Sequence, residues 1–202
     1  NKFKKLRNDR KYILILAILF AASVWLEYNI PQPIDWKPSY SSKDKIPYGS
    51  FIIYDYLSAI FPGKKINESD MPIYNSLSDS MGTKSNYLFV NTDFNPDTLD
   101  VKKMLNYVQS GNTVFIAVED YSGALADSLK VQTSTDMSIV NNSKDSVSLN
   151  FTTIGFHSPK NFSYQKGSVD YYFTQYDTAH TEILGENSNG KPDYIKITRG
   201  NG

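Results

Sequence analysis

The 202-residue chain contains no cysteine. This absence excludes a disulfide framework, thiolate ligation of a metal and a cysteine nucleophile. The chain also has no net charge, because 21 Lys and Arg residues balance 21 Asp and Glu residues. A generic nucleic-acid binder is basic, so we expect no nucleic acid among the partners. Apolar residues make up 40% of the chain, which is enough for a core and excludes a disordered or fibrous protein.

Familiar catalytic motifs are missing as well. The sequence has neither a GxSxG nucleophile elbow nor a GxxxxGK[ST] phosphate loop. His157 and His180 lie apart from each other, and neither belongs to an HExxH motif. We therefore predict no catalytic residue, no cofactor and no metal site, and we expect that the protein is not an enzyme.

The basic residues are concentrated at the N-terminus. Residues 1–11 hold six of them against Asp9 alone, so this segment carries +5 and the remainder of the chain −5. An apolar run of fifteen residues follows, Tyr12–Leu26, in which only Ser23 is polar. As a helix this run is about 22 Å long, shorter than the roughly 30 Å hydrocarbon core of a bilayer.

The residues that flank the apolar run suit the two interfaces of a membrane. Lys11 can extend its amine into one interface, and Trp25 and Tyr28 can lie in the other. We therefore predict a basic cytoplasmic tail over 1–11 and a transmembrane signal anchor over 12–28. Because positive charge stays in the cytoplasm, the rest of the chain is expected outside it.

Two other interpretations of the apolar run stay open. It could be a cleaved signal peptide, with Ala21 and Ser23 as the small residues before the cleavage site. It could also be a buried helix of a soluble protein, although such a helix does not need flanking cations. The apolar residues 24–26 continue the run past the cleavage site, which favours the uncleaved anchor.

Four prolines between residues 31 and 47 disfavour helix, so a linker is predicted over 29–46. A helix is then expected from Pro47 to about Phe61, because apolar residues recur there at helical spacing. Its predicted buried face consists of Ile53, Tyr56, Leu57 and Ile60.

The pattern over residues 87–130 predicts strand, helix, strand and helix. Tyr87–Val90 and Thr113–Val118 are short apolar runs typical of buried strands. Between them, Asn95 and Pro96 have the residue types that begin a helix. Two buried strands joined by a helix form a parallel pair. We therefore predict an α/β core over 47–131 with a mainly parallel, three-layer sheet.

From residue 132 onward, apolar residues alternate with polar ones between glycines, which predicts a β-rich, antiparallel extension of the same domain over 132–202. Aromatic residues are frequent in this extension and are expected mostly in strand cores. Exposed aromatics would instead bind glycan or a protein partner. The aromatic residues of the extension are Phe151, Phe156, Phe162, Tyr164, Tyr171, Tyr172, Phe173 and Tyr176.

Polar residues follow both strands of the predicted parallel pair. Asn91 and Asp93 come after the first strand, and Glu119 and Asp120 come after the second. Ligands of open α/β sheets bind beyond the carboxyl ends of the strands, so these four residues are candidates for a ligand crevice. Alternatively, they cap helices and satisfy loop backbone. Without a nucleophile or a base, binding is favoured over catalysis.

Several short motifs resemble those of the bacterial membrane proteins of the domain-of-unknown-function 4350 family. They are Pro33–Trp36, Pro38–Ser41, Pro47–Gly49, Phe94–Asp97, Tyr107–Ala117 and Gly200–Gly202. The resemblance implies a class I glutamine amidotransferase-like, flavodoxin-like domain without the catalytic cysteine, on the periplasmic side of a bacterial inner membrane. It also implies that the chain is a fragment lacking a C-terminal strand, a helix and a second membrane segment. The family has no established activity.

The leading functional hypothesis is a non-catalytic, membrane-anchored domain that acts as an interaction or scaffold component of a transporter-like or envelope assembly. Its expected partners are the lipid bilayer and an unidentified protein. Two alternatives stay open. One is an extracytoplasmic hydrolase that uses the strand-end carboxylates, and the other is a glycan-binding module that uses the aromatic residues.

Overall fold

The computed structural model describes residues 2–31, 33–77, 84–135, 146–165 and 169–202, with side chains from residue 10 onward except that of Gln165. The chain forms two compact units, Asn1–Lys37 and Pro38–Gly202. Parts of the predicted β-rich extension, residues 136–145 and 166–168, lie outside the described residues.

The first unit contains one long helix, α1 (Lys2–Asn29), which includes the basic segment as well as the apolar run. Its stretch Arg10–Asn29 has a mean hydropathy of 1.7, and none of it is buried. Twenty helical residues are about 30 Å long, which matches the hydrocarbon core of a bilayer. The chain therefore has an N-terminal helix that is long and apolar enough to serve as a membrane anchor.

The second unit is a mixed α/β structure. Its helices are α2 (Phe51–Ile60), α3 (Ile73–Ser76), α4 (Thr98–Gln109) and α5 (Gly123–Leu129). Its strands are β1 (Asn86–Val90), β2 (Asp93–Phe94), β3 (Thr113–Ala117), β4 (Asp120–Tyr121), β5 (Gln132–Thr135), β6 (Ser146–Phe151), β7 (Phe162–Gln165), β8 (Tyr171–Gln175), β9 (Thr181–Asn187) and β10 (Pro192–Ile197).

Most strand pairs in this unit are antiparallel, so the predicted mainly parallel, three-layer sheet is wrong. Parallel pairing is found between β1 and β3 and between β2 and β4. A four-stranded sheet in the order β10-β9-β6-β7 and the pair β5-β8 are antiparallel. The lengths of the connections explain the difference. The crossover through α4 allows β1 and β3 to pair in parallel, whereas the short turn between β9 and β10 can link only antiparallel strands.

The predicted parallel pair is confirmed. β1 and β3 pair in register from Asn86 opposite Thr113 to Val90 opposite Ala117. The helix between them begins later than predicted, because Asp97 rather than Asn95 is its N-cap. One carboxylate oxygen of Asp97 accepts hydrogen bonds from two backbone amides of the first turn, both at 2.8 Å.

The main core lies between α3, α4, α5 and the parallel strands. It buries Ile73, Leu77, Phe94, Val101, Met104, Tyr107 and Leu125. The apolar residues of β3 are half-buried, although the continuous apolar run predicted that both faces of this strand would be covered. On one side, the Phe115 ring meets Tyr194 of β10 edge to face, with ring centroids 6.1 Å apart.

The predicted buried face of α2 is not found in the structure. No residue of α2 is buried, and the residues of that face are largely exposed: Ile53 is 42%, Tyr56 61% and Ile60 57% accessible. In the proline-rich segment before α2, residues from Pro38 onward belong to the second unit. A turn there is closed by a 2.8 Å hydrogen bond from the Tyr40 amide to the Tyr48 carbonyl.

A buried polar pair organises the turn between β9 and β10. The side-chain amide of Asn187 donates to both carboxylate oxygens of Asp170, at 2.9 and 3.0 Å, and both residues are buried. The Asn187 side-chain oxygen accepts from the backbone amides of Asn189 and Lys191. A single amide therefore satisfies a buried carboxylate and closes the turn.

Candidate functional site

The carboxyl ends of the two parallel strands meet. Beyond β1 and β3 the two segments stay paired: the Asn91 amide donates to the Ala117 carbonyl, and the Glu119 amide donates to the Thr92 carbonyl, both at 3.1 Å. One step further, β2 and β4 place Asp93 opposite Asp120. The structure thus brings the four predicted crevice residues to one edge.

Their side chains differ in environment. Asn91 accepts a hydrogen bond from the Thr92 amide at 2.8 Å, which is a local turn contact. Asp93 and Asp120 are exposed, and the nearest contact of Asp120 is a long one, 3.4 Å from the Thr133 hydroxyl. Glu119 accepts a side-chain hydrogen bond of ordinary length, and the charges of Glu119 and Asp120 both act on Tyr171. The predicted site therefore centres on Glu119, with Asp120 close by.

Tyr40 is the partner of Glu119, a pairing that the sequence did not predict. The Tyr40 hydroxyl donates to Glu119 Oε1 at 2.9 Å. The Tyr40 backbone is left-handed, with φ of +48°, which is uncommon for a residue with a side chain. The proline-rich segment that contains Tyr40 has no local sequence pattern that predicts this backbone conformation. It also has none that predicts a contact with a residue 79 positions away.

Electrostatics explains the state of the phenols around Glu119. Burial, followed by the hydrogen bond and charge of Glu119, raises the pKa of Tyr40 to about 12. Burial also raises the pKa of Tyr171, with smaller contributions from the charges of Glu119 and Asp120. Both phenols are protonated at neutral pH, so neither is available there as a base or nucleophile. The cluster can donate and accept hydrogen bonds, which suits binding or structural support.

Glu119→Gln is expected to lower the pKa of Tyr40 from about 12 toward its ordinary 10.0, because the variant removes the charge that opposes phenolate formation. Since the unfolded phenol ionises near 10 and the folded one near 12, Tyr40 stabilises the fold below pH 10. That contribution is lost as the pH rises to about 12.

Alkaline titration of tyrosinate absorbance measures this shift, with Tyr40→Phe identifying the signal of Tyr40. Asp93→Asn is the matched control, because it neutralises an exposed crevice carboxylate that does not contribute to the pKa of Tyr40. An unchanged titration of Tyr40 in Glu119→Gln would show that the hydrogen bond is not formed in solution.

Comparisons with known proteins find no relative of the chain. No protein-family model matches the chain, and neither a curated protein nor a solved structure is detectably similar to it. The resemblance to the domain-of-unknown-function 4350 family therefore stays a prediction.

Side chains able to hold a metal ion do not gather in the described part of the chain. Those residues contain no cluster of three or more His, Asp or Glu side chains placed to hold a metal ion. The histidines make local contacts: His157 Nδ1 lies 2.8 Å from the Phe151 carbonyl oxygen, and His180 Nδ1 lies 3.0 Å from Asp177 Oδ2. That contact with His180 is the main reason why the pKa of Asp177 is lowered.

A second polar group lies away from the crevice and was also missed. Asp193 of β10 borders a cavity of about 400 Å³ between α4, β3 and β10. Its Oδ2 is buried without a hydrogen-bond partner, and burial raises its pKa to about 6. Gly185 makes room for it, since a Cβ there would lie 3.0 Å from Asp193 Oδ1. A single Asp in an alternating strand carries no sequence signal for such a position.

Four apolar side chains of the β6–β7 hairpin are exposed together, and we call them the aromatic patch. They are Phe151, Ile154, Phe156 and Phe162, at 37%, 98%, 70% and 44% accessibility. The Phe151 ring centroid lies 6.0 Å from that of Phe156 and 6.2 Å from that of Phe162. Among the described strands, β7 pairs only with β6, so the patch lies at a sheet edge.

Polar contacts hold the loop of the aromatic patch in place. The Asn150 side-chain amide donates to the Ser158 carbonyl at 2.8 Å and to the Asn161 side chain at 2.9 Å. Its oxygen accepts from the Ser158 amide at 3.0 Å. The loop is thus fixed by hydrogen bonds while its apolar side chains point to solvent.

The eight aromatic residues of the predicted β-rich extension divide between core and surface. Phe173 is buried and packs near Tyr121, with ring centroids 5.5 Å apart. Phe156 and Phe162 are exposed. The expectation that these aromatics mostly fill strand cores therefore does not describe those of the β6–β7 hairpin.

Proposed function

We propose that the protein is a membrane-anchored domain that binds a protein partner through the aromatic patch and has no catalytic activity of its own. In this proposal α1 is the anchor and residues 38–202 lie outside the cytoplasm. The resemblance to bacterial membrane proteins of the domain-of-unknown-function 4350 family adds the setting: a transporter-like or envelope assembly at the periplasmic side of the inner membrane.

The observation that carries the proposal is the aromatic patch. Apolar side chains at a surface raise the free energy of the isolated chain in water, and contiguous ones mark interaction sites. Here the loop that bears them is ordered by Asn150 rather than by burial of its own apolar residues. Such pre-organisation reduces the entropy lost on binding, and aromatic residues are enriched at the centres of protein interfaces.

The ring geometry favours a protein over a glycan. A sugar stacks on a flat aromatic face. In the patch, the planes of Phe151 and Phe162 are inclined at 76° and those of Phe151 and Phe156 at 55°, so the three rings form no common platform. Inclined rings with spaces between them suit interdigitating apolar side chains instead.

The crevice supports the non-catalytic part of the proposal. Its central carboxylate, Glu119, already accepts the Tyr40 hydroxyl, and its two phenols hold their protons at neutral pH. A general base typically contributes 10²–10⁴-fold to a rate, so such a role would be conspicuous in an assay. We expect Glu119→Gln to keep the cellular role of the protein.

Site-specific photo-crosslinking tests the proposal. A benzophenone amino acid at Phe156 of the full chain in native membranes is expected to give one discrete protein adduct. The same probe at Thr178, an exposed polar position, should give none. Glu119→Gln in the Phe156 probe background is the second control and should leave the adduct unchanged.

Four results would count against the proposal. Absence of an adduct at Phe156, or the same adducts at Phe156 and Thr178, would remove the patch as a protein interface. Retention of the chain on insoluble glycan that is lost in Phe156→Ala would favour the glycan-binding alternative. A hydrolytic activity that falls at least about a hundredfold in Glu119→Gln would favour the hydrolase.

A further inference from the structure

We propose that α2 lies in the surface of the bilayer that holds α1, with its apolar side chains in the boundary between headgroups and acyl chains. The inference rests on the anchor of the proposed function but not on the aromatic patch. The juxtaposition that supports it is an uncovered apolar helix with lysines on both flanks, a short distance along the chain from a helix able to span a membrane.

The composition and exposure of α2 do not suit a helix in water. Its ten residues, FIIYDYLSAI, include only two polar side chains besides the tyrosines, Asp55 and Ser58. None of the ten is buried, and Ile52, Tyr56 and Ile60 are 70%, 61% and 57% accessible. Helices of a folded domain normally bury one apolar face, whereas the described residues leave the apolar face of α2 uncovered.

The groove beside α2 is apolar as well. An open cavity of about 660 Å³ lies between α2, the preceding turn, the end of β1 and β7, and its walls include Pro47, Tyr48, Val90 and Tyr164. The uncovered apolar surface therefore continues beyond the helix onto neighbouring elements.

Charge around α2 complements anionic lipid. Lys43, Lys45, Lys64 and Lys65 lie on its two flanks, and all four are exposed. With Asp44 and Asp55, the segment 43–65 carries a net charge of +2, although residues 12–202 as a whole carry −5. Basic residues beside an apolar surface attract anionic headgroups, and tyrosines such as Tyr54 and Tyr56 favour the headgroup level.

Only a short segment separates the two units in the sequence. Eight residues, 30–37, separate the end of α1 from the start of the second unit at Pro38. Fully extended, they reach about 29 Å at most. Tethering at this range gives a high effective concentration of bilayer for any lipid-binding surface on the second unit.

A second copy of the chain is a less suitable cover for α2. A symmetric pair places the same patch of each copy against the other. It would bring together two copies of the segment 43–65, each with a net charge of +2, and these like net charges repel. Anionic headgroups neutralise the same residues.

Because the chain has no cysteine, single cysteines report on single positions. The full chain carrying Tyr56→Cys or Ile60→Cys, labelled with an environment-sensitive fluorophore, is reconstituted in vesicles of phosphatidylcholine and phosphatidylglycerol that contain brominated acyl chains. We expect blue-shifted emission and several-fold stronger quenching at both positions than at the control Thr178→Cys. Lys64→Glu with Lys65→Glu should weaken the quenching at Tyr56→Cys, whereas Lys160→Glu should not.

Two outcomes would overturn the inference. In one, labels on α2 are as hydrated and unquenched as the label at Thr178. In the other, they are shielded from water but not quenched by brominated lipid, and the shielding depends on the ratio of protein to lipid, which would assign α2 to a second copy. Flotation of the vesicles separates these results from failure of the anchor, because a chain without an anchor would not float with them.

Discussion

Replacing Leu125 with Ala is expected to lower the free energy of unfolding of the second unit by about 2–5 kcal/mol. Leu125 of α5 has no solvent-accessible surface and lies in the main core with Val101 and Met104 of α4. The substitution removes buried apolar surface and leaves a cavity that its neighbours close only in part. Because this core joins α3, α4, α5 and the parallel strands, its loss affects the whole parallel unit.

Leu99→Ala is the matched control. Leu99 lies on α4 and is 62% exposed, so the same chemical change there should alter stability by no more than about 0.5 kcal/mol. Urea unfolding of the full chain in detergent, followed by near-ultraviolet circular dichroism, measures tertiary packing separately from the helicity of α1. Equal losses for the two variants would show that the core is not where the structure has it.

Local patterns were sufficient to predict the parallel unit. β1, α4 and β3 each have a sequence signature that needs no distant partner: two short apolar runs and an amphipathic helix between them. Even there, the cap was misassigned, because Asn95 and Asp97 are both good cap residues. Only the hydrogen bonds from the first-turn amides to Asp97 decide between them.

Exposure was the property that the sequence predicted worst. The helical spacing in α2 indicated a buried face, but spacing shows only that a face exists and not that another element covers it. The same limit applies to the aromatic residues. Phe156 and Phe173 are chemically identical, yet one is 70% exposed and the other is buried, because the fold around them differs.

The candidate crevice was predicted in part for a similar reason. Because polar residues after parallel strands lie at the same edge of a sheet, the sequence predicted that four residues lie close together, and the structure places them at one edge. They are Asn91, Asp93, Glu119 and Asp120. The sequence did not predict Tyr40, whose contact with Glu119 depends on a turn in a segment that resembles a linker. Long-range contacts of this kind are properties of the folded chain and leave no local pattern.

The second large effect is expected in membrane topology. Six basic residues in 1–11 precede the apolar stretch Arg10–Asn29 or lie at its first residues, and positive charge beside a membrane span favours the cytoplasmic side. The proposed topology therefore places the second unit on the opposite side. The expected difference in reagent access between the two ends of the chain is therefore all or none.

Single-cysteine labelling of the full chain in intact cells measures this difference most directly, and it tests the central claim of an anchored domain outside the cytoplasm. We expect a membrane-impermeant maleimide to label Thr178→Cys in intact spheroplasts, and Asn8→Cys only after the membrane is permeabilised. Failure to label Asn8→Cys even then would indicate that the N-terminal segment is cleaved. Labelling of Asn8→Cys, with Thr178→Cys protected until permeabilisation, would contradict the account.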